Sequence, residues 1–324
     1  MLNAENLKKD VEQWLQELNY KRQPQELYTP IEYSLSLGGK RIRPVLCLAA
    51  CTLFSDDYER AKPAALALEI FHNFTLLHDD VMDHADIRRN KPTVCAKWNS
   101  NVAILSGDAM LIDAYQTISQ VDSPAFSLIL NTFTQTAKEV CEGQQYDMDF
   151  ENTNDVTVEQ YMEMIRLKTA VLIAASIKIG ALIGGATDAE TEILYNFGIN
   201  MGLAFQLQDD LLDTYGNEAT FGKAIGGDIV ENKKTFLLIS ALENASAPQK
   251  RELLKWLDAV SPNREQKIAA VRSIYDQIGV KGLTEKKIAE LQKEAMDSLR
   301  EMDISVEGKR FLADFANSIF KRTR

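Results

Sequence analysis

Apolar residues recur at spacings of three and four along nearly the whole chain, and no sustained apolar–polar alternation interrupts them. This period predicts helices over 4–19, 24–36, 41–54, 58–83, 101–119, 123–149, 157–184, 188–214, 232–244, 247–259, 264–277, 284–301 and 305–321. Breakers separate them: Gly38-Gly39, Asn90 to Pro92, Asn152 to Asp155, Gly184-Gly185, Gly216 to Gly227, Ser261-Pro262 and Gly282. Only 8 Pro and 16 Gly occur in 324 residues, and no linker is rich in Pro, Ser or charge. The expectation is one all-α domain spanning 1–324, with several helices longer than twenty residues and no internal repeat beyond the one described next.

Two predicted helices end in the same way. The stretch from Phe71 to Thr93 closes an apolar run with Asp79, Asp80 and Asp83, and Gln208 to Thr214 closes another with Asp209, Asp210 and Asp213. Asp79 and Asp83 lie four apart and share a helix face, where like charges repel. A hard cation relieves that repulsion, because carboxylate oxygens suit Mg²⁺. Such sites use one or two carboxylates and draw further ligands from substrate phosphate and water. A solvated acidic helix end explains one Asp-Asp-apolar-apolar-Asp group; it does not explain the same spacing twice. Side by side, the two helices would bring six carboxylates to one cavity mouth.

Composition narrows the classes. Hydrophobic residues make up 45% of the chain, enough for a substantial core and too many for disorder. A net charge of −11 argues against non-specific binding to nucleic acid or anionic membrane, so an anionic ligand needs locally concentrated Lys and Arg. The N-terminal stretch is amphipathic and charged, unlike a secretory signal. The most apolar stretch, Ala170 to Ala186, is broken by Lys178 and reads as a core helix rather than a membrane span. Cys47, Cys51, Cys95 and Cys141 show no zinc spacing; Cys47 and Cys51 read as buried thiols, and the reducing cytosol is the expected compartment.

The cations are clustered. Leu37 to Pro44 reads LGGKRIRP, placing Lys40, Arg41 and Arg43 beside two glycines at a helix start, an anion site or an ordinary basic loop. Arg88 and Arg89 follow the first aspartates, where arginine forks either grip a diphosphate or compensate charge. Lys168-Thr169 opens the most apolar helix, and its lysine needs a partner unless it reaches solvent. Phe221 to Phe236 brackets Lys223 with glycines and continues to Lys233, Lys234 and Thr235, as a mobile lid or a plain loop would. His72 lies seven residues before Asp79, facing the same cavity or satisfied in the core. Gln206 lies one turn before Asp209, where its amide oxygen is placed to face developing positive charge.

Taken in order, GGKRIRP, HDDVMD with RR, GQQYD (Gly143 to Asp147), KT, FQLQDDLLD, GK and KKT resemble the trans-isoprenyl diphosphate synthases, the polyprenyl synthetase family. The match runs from Gly38 to Thr235, and no motif follows Pro248. The resemblance implies the isoprenoid synthase fold, a bundle of long antiparallel helices around a central apolar cavity. It implies that Asp79, Asp83 and Asp209 hold Mg²⁺, up to three ions per active site, with Asp80 and Asp213 in support. Arg88, Lys168, Lys223 and Lys233 would contact the allylic diphosphate. Gly39, Lys40, Arg43, His72 and Arg89 would bind isopentenyl diphosphate, while Thr169 and Gln206 stabilise the allylic cation. The C-terminal Lys321 to Arg324 would add positive charge over the mouth.

Phe74 and Thr75, five and four residues before Asp79, would limit chain growth, with Phe71 a deeper floor. One aromatic at the fifth position resembles twenty-carbon synthases and two adjacent aromatics resemble fifteen-carbon ones, so geranylgeranyl diphosphate is expected ahead of farnesyl diphosphate. Many bacterial short-chain members carry four residues between the second and third aspartates; this chain carries two, Val81 and Met82. A homodimer is expected by resemblance. The competing readings are a class I terpene cyclase, which needs no second diphosphate site, a non-catalytic regulatory subunit, and an acidic divalent-ion buffer.

Overall fold

The computed structural model describes residues 3–151, 153, 155–216 and 225–320. Helices dominate, and the chain forms two compact units. One comprises Met1–Gln135, Ala175–Tyr195 and Met302–Leu312; the other comprises Thr136–Ala174, Asn196–Glu301 and Ala313–Arg324. The divisions at 135, 174 and 195 fall inside helices rather than in linkers.

The first unit carries α1 (Ala4–Glu17), α2 (Gln25–Ser36), α3 (Ile42–Cys51), α4 (Lys62–Met82), α5 (Val94–Lys97), α6 (Ser100–Ile118) and the start of α7 (Phe126–Glu151). In α3 the residues from Pro44 to Cys51 are all buried, as an apolar helix without a polar face requires. Pro44 sits in the first turn, where its missing N–H is no loss. The α4 helix is buried over most of its length and packs chiefly against α6 and α3. It opens from a 3₁₀ turn at Glu59–Ala61 and stops at Met82, leaving Asp83 as its C-cap rather than its last residue.

After α4 comes a structure that periodicity does not predict. Ile87–Arg88 and Lys91–Pro92 form a two-stranded antiparallel hairpin. Arg89 (φ 53°) and Asn90 (φ 60°) make its turn, matching the left-handed pair that tight hairpins favour. Two-residue strands are too short to leave an alternating pattern.

The apolar stretch predicted as a core helix is one. Val158–Gly184 is continuous, long and apolar enough to cross a membrane, yet 78% of its most apolar window is buried inside the protein. It comprises α8 (Val158–Ile165), a π-helical turn at Arg166–Ala170, and α9 (Val171–Gly184). α9 lies against α3 so closely that a Cβ on Gly180 would sit 1.9 Å from the carbonyl oxygen of Cys47. Cys47 and Cys51 are free and buried, as expected, and burial pushes both thiols up.

The second unit continues α10 (Asp188–Tyr215) and adds helices at Gly227–Val230, Phe236–Asn244, Ala247–Leu257, Arg264–Ile278 and Val280–Arg300. The expected break at Gly282 is absent; Gly282 lies inside a helix. The break is at Gly279, which takes the left-handed φ of 82°. Two nearby glycines look alike in sequence; the helix that follows Gly279 carries Gly282 within it and buries Val280 and Thr284. The helix expected from 232 likewise begins only at Phe236, with Thr235 as its N-cap.

Replacing Gly180 with Ala should force α3 and α9 apart and cost about 1–3 kcal/mol, as overpacking does. Urea unfolding of Gly180→Ala checks this; an unchanged midpoint would refute the close approach.

Candidate active site

The end of α4 places three aspartates in three environments. Asp80 is buried, Asp79 is partly exposed, and Asp83 is exposed at the cap. Arg88 reaches back from the hairpin: its Nε donates to Asp80 Oδ1 at 2.8 Å, and its Nη2 lies 2.7 Å from that oxygen and 3.4 Å from Asp79 Oδ2. Of the two sequence readings of Arg88, charge compensation is therefore present in the fold. Burial explains it, since a carboxylate removed from water needs a hydrogen-bond donor or a cation.

Beside this end lies a basic cluster. Gly38 and Gly39 both have positive φ (77° and 146°), and the Arg89 guanidinium lies 3.0 Å from where a Gly39 Cβ would be. Arg89 Nη1 donates to the Gly38 carbonyl in a short hydrogen bond. Arg43 Nη1 lies 3.1 Å from His72 Nε2; because guanidinium only donates, Nε2 is the acceptor and the imidazole is neutral. Burial, then the charges of Arg43, Arg89, Arg88 and Arg41, holds His72 well below the usual histidine range. Burial also lowers Arg43 to about 10, and its Nε is buried with no hydrogen-bond partner among the described residues. The fold thus brings Gly39, Arg43, His72 and Arg89 together, while Lys40 is exposed.

Arg41 does not join them, although it stands in the same basic run. It is buried, with Nη1 2.6 Å from Glu69 Oε1 and Nη2 2.9 Å from the Leu35 carbonyl. Asn73 completes the network, its Nδ2 donating to Glu69 Oε1 at 3.0 Å. Glu69 is not among the residues predicted from sequence, although its signal is there: one charge inside the apolar run ALALEIF. Further along α4, Phe71 and Phe74 are buried with ring centroids 5.5 Å apart, and Phe71 meets Phe133 at 5.5 Å. Thr75 turns its hydroxyl to the His72 carbonyl at 2.8 Å.

In the second unit, the end of α10 repeats the pattern: Asp209 partly exposed, Asp210 buried, Asp213 partly exposed. Asp210 accepts from Gln206 Nε2 at 3.0 Å and, in a short hydrogen bond, from the Tyr161 hydroxyl. Burial pushes Asp210 up to about 7, against the pull of those two donors. Asp213 Oδ2 accepts the Asp228 backbone N–H at 3.0 Å. Burial raises Asp213 and Asp228 too, and for Asp228 the neighbouring charges of Asp210 and Asp213 add to it.

The π-helical turn carries the predicted Lys168 and Thr169, and such turns recur at functional sites. Gly143 makes room for it, since a Cβ there would lie 2.3 Å from the Lys168 backbone nitrogen. Asp147 of the same GQQYD stretch supplies the partner that Lys168 required, with Nζ 2.6 Å from its Oδ2. Thr169 Oγ1 donates to Gln206 Oε1 at 3.1 Å. Lys233 is half-exposed, 3.5 Å from Glu231, and its charge acts on Asp213 and Asp228. Lys267 escapes sequence reasoning: only 2% exposed, it grips Asn232 Oδ1 at 2.5 Å and the Val230 carbonyl at 3.1 Å, just before Lys233. Nothing in its sequence neighbourhood separates it from a surface lysine. Lys223, with residues 221–224 of the expected lid, and Lys321 to Arg324 lie outside the described residues; the remainder of that stretch holds the Gly227–Val230 helix and the Thr235 N-cap.

No three His, Cys, Asp or Glu side chains among the described residues group as a closed metal cage. Mg²⁺ takes one or two carboxylates and completes its shell with water and phosphate. Asp79, Asp83 and Asp209 are oxygen donors that fit this ion.

His72 gives a pH signature. Its folded value is depressed, so its contribution to stability is present above the ordinary value of 6.5 and is lost as pH falls below it. Denaturant unfolding at several pH values should show a shallower acid loss in His72→Gln than in the parent; parallel profiles would contradict a neutral His72.

Residues 24–278 match the family model described as polyprenyl synthetase. A geranylgeranyl diphosphate synthase of Methanosarcina mazei is 43% identical over 222 residues, covering 68% of each chain. One from Sulfolobus acidocaldarius is 38% identical over 300 residues, covering 90% of each. A crystal structure of a geranylgeranyl pyrophosphate synthase superposes with a TM-score of 0.94 at 41% identity, over all of both chains. The fold is the all-α isoprenoid synthase fold. On its motifs, its fold and these relatives, the chain belongs to the polyprenyl synthetase family.

Proposed function

We propose that this chain is a trans-prenyltransferase that condenses isopentenyl diphosphate with an allylic diphosphate and makes geranylgeranyl diphosphate. The observation that carries the reading is the Arg43–His72–Arg89 cluster. It offers a second anion a place apart from the aspartates, which a terpene cyclase does not need. Two intact aspartate motifs argue against a regulatory subunit, and an ion buffer leaves the basic cluster unexplained.

In this reading, the allylic C–O bond breaks and the diphosphate departs with the electron pair. Bound Mg²⁺, held by Asp79, Asp83 and Asp209, would neutralise charge on that diphosphate. Arg88, Lys168, Lys223 and Lys233 add positive charge to the same group. Arg43, His72, Arg89 and Lys40 hold isopentenyl diphosphate so that its double bond attacks the cation and forms the new C–C bond. A proton then leaves to an oxygen of the released diphosphate. Thr169 and Gln206 face the cation with oxygen dipoles. Phe74, backed by Phe71, limits chain growth, and Thr75 leaves room beside them.

The functional form is a homodimer. Leu105 and Ile112, seven residues apart on α6, and Leu128 on α7 expose large apolar side chains that a second copy would cover. Sedimentation should report twice the 36.4 kDa chain mass. Four free cysteines suit the reducing cytoplasm.

Incubation with each allylic diphosphate, labelled isopentenyl diphosphate and Mg²⁺ should give a twenty-carbon product. Product formed without isopentenyl diphosphate would favour a cyclase. Asp79→Ala and Asp209→Ala should each lower turnover by about a thousandfold or more; near-normal rates would overturn the metal assignment. Phe74→Ala should lengthen the product, and an unchanged product distribution would defeat its role as a floor.

A further inference from the structure

Asp210 belongs to the second aspartate motif, yet its carboxylate is turned to the interior. Both of its oxygens are occupied within the second unit: Oδ1 by Gln206 Nε2 at 3.0 Å, Oδ2 by the Tyr161 hydroxyl. Tyr161 and Asp210 are both buried, so water does not compete for these bonds.

The Gln206 amide has two unlike ends. Its NH₂ only donates and its oxygen only accepts. An ionised carboxylate only accepts, and a carboxyl protonated on Oδ2 still accepts at Oδ1. In either state Asp210 therefore draws Nε2 toward itself and leaves Oε1 facing Thr169 Oγ1, at 3.1 Å. The reverse flip would set a carbonyl oxygen against a carboxylate, whereas the Thr169 hydroxyl, which both donates and accepts, does not choose between the two ends; Asp210 therefore fixes the orientation. Tyr161 secures the far side of Asp210, so the carboxyl cannot rotate to release the amide. The chain of bonds runs Tyr161–Asp210–Gln206–Thr169, and it begins and ends on one helical segment: Tyr161 lies in α8 and Thr169 in the π-helical turn that follows it.

We propose that Tyr161 and Asp210 are positioning residues that hold the Gln206 amide with its oxygen, not its NH₂, toward the allylic cation. The proposal rests on the prenyltransferase reading. It gives the aspartates of the second motif different roles, with Asp209 facing metal and diphosphate while Asp210 orients the amide. An amide oxygen opposite a forming cation stabilises the transition state more than the bound substrates. Loss of its orientation thus lowers kcat and leaves KM for both diphosphates nearly unchanged.

A double-mutant cycle tests the route of action. Tyr161→Phe removes one hydroxyl and should lower kcat about tenfold, with KM changed less than about twofold. In a Gln206→Leu background the same change should cost less than about twofold, because no amide remains to orient. Equal losses in both backgrounds, an unchanged kcat, or a change confined to KM would overturn the proposal. Should Tyr161→Phe melt early, Asp210→Ala, which removes the acceptor that Gln206 Nε2 meets, serves instead in the same two backgrounds, with the same expectation and the same refutations. An unmutated protein that makes no prenyl product would overturn the prenyltransferase reading itself, an outcome distinct from additivity in the cycle.

Discussion

A carboxylate taken out of water must be answered by a donor or a cation, and both aspartate motifs are arranged around that requirement. In each motif the middle aspartate, Asp80 or Asp210, is the buried one. Asp80 is answered by the charge of Arg88, and Asp210 by the neutral hydroxyl and amide of Tyr161 and Gln206. The outer aspartates are the more exposed in both cases, which suits them to a hydrated ion. One spacing therefore serves two purposes, and burial assigns them.

The same requirement governs the cations. Arg41, Arg43 and Arg89 are close enough to depress one another's neighbours, and the burial of Glu69 beside Arg41 keeps that concentration of charge tolerable. Arg41 is thereby made structural, which leaves Arg43 and Arg89 with a neutral His72 as the groups that an anion would meet. Holding His72 neutral matters chemically: it accepts from Arg43 and so aims a guanidinium that has few ways to be aimed otherwise.

Close backbone approach is the second constraint. Gly180 lets α9 lie on the Cys47 carbonyl of α3, and Gly143 lets α7 lie on the π-helical turn at Lys168. The latter contact accompanies the approach of Asp147 to Lys168, so the GQQYD stretch meets the π-helical turn through packing as well as through its carboxylate.

By itself the sequence determined the helical class and the identity of the core segments, and it marked the acidic and basic clusters. Period 3.6, two identical acidic helix ends and clustered Lys and Arg are local signals, and local signals survive without a fold. Tertiary structure alone decided what depends on residues far apart: that Gly279 rather than Gly282 breaks the chain, that Arg41 pairs with Glu69 while Arg43 meets His72, that Lys267 is buried, and that Asp210 answers to Tyr161, forty-nine positions away. Burial and hydrogen-bond partnership are properties of neighbours in space, and no pattern of neighbours in sequence encodes them.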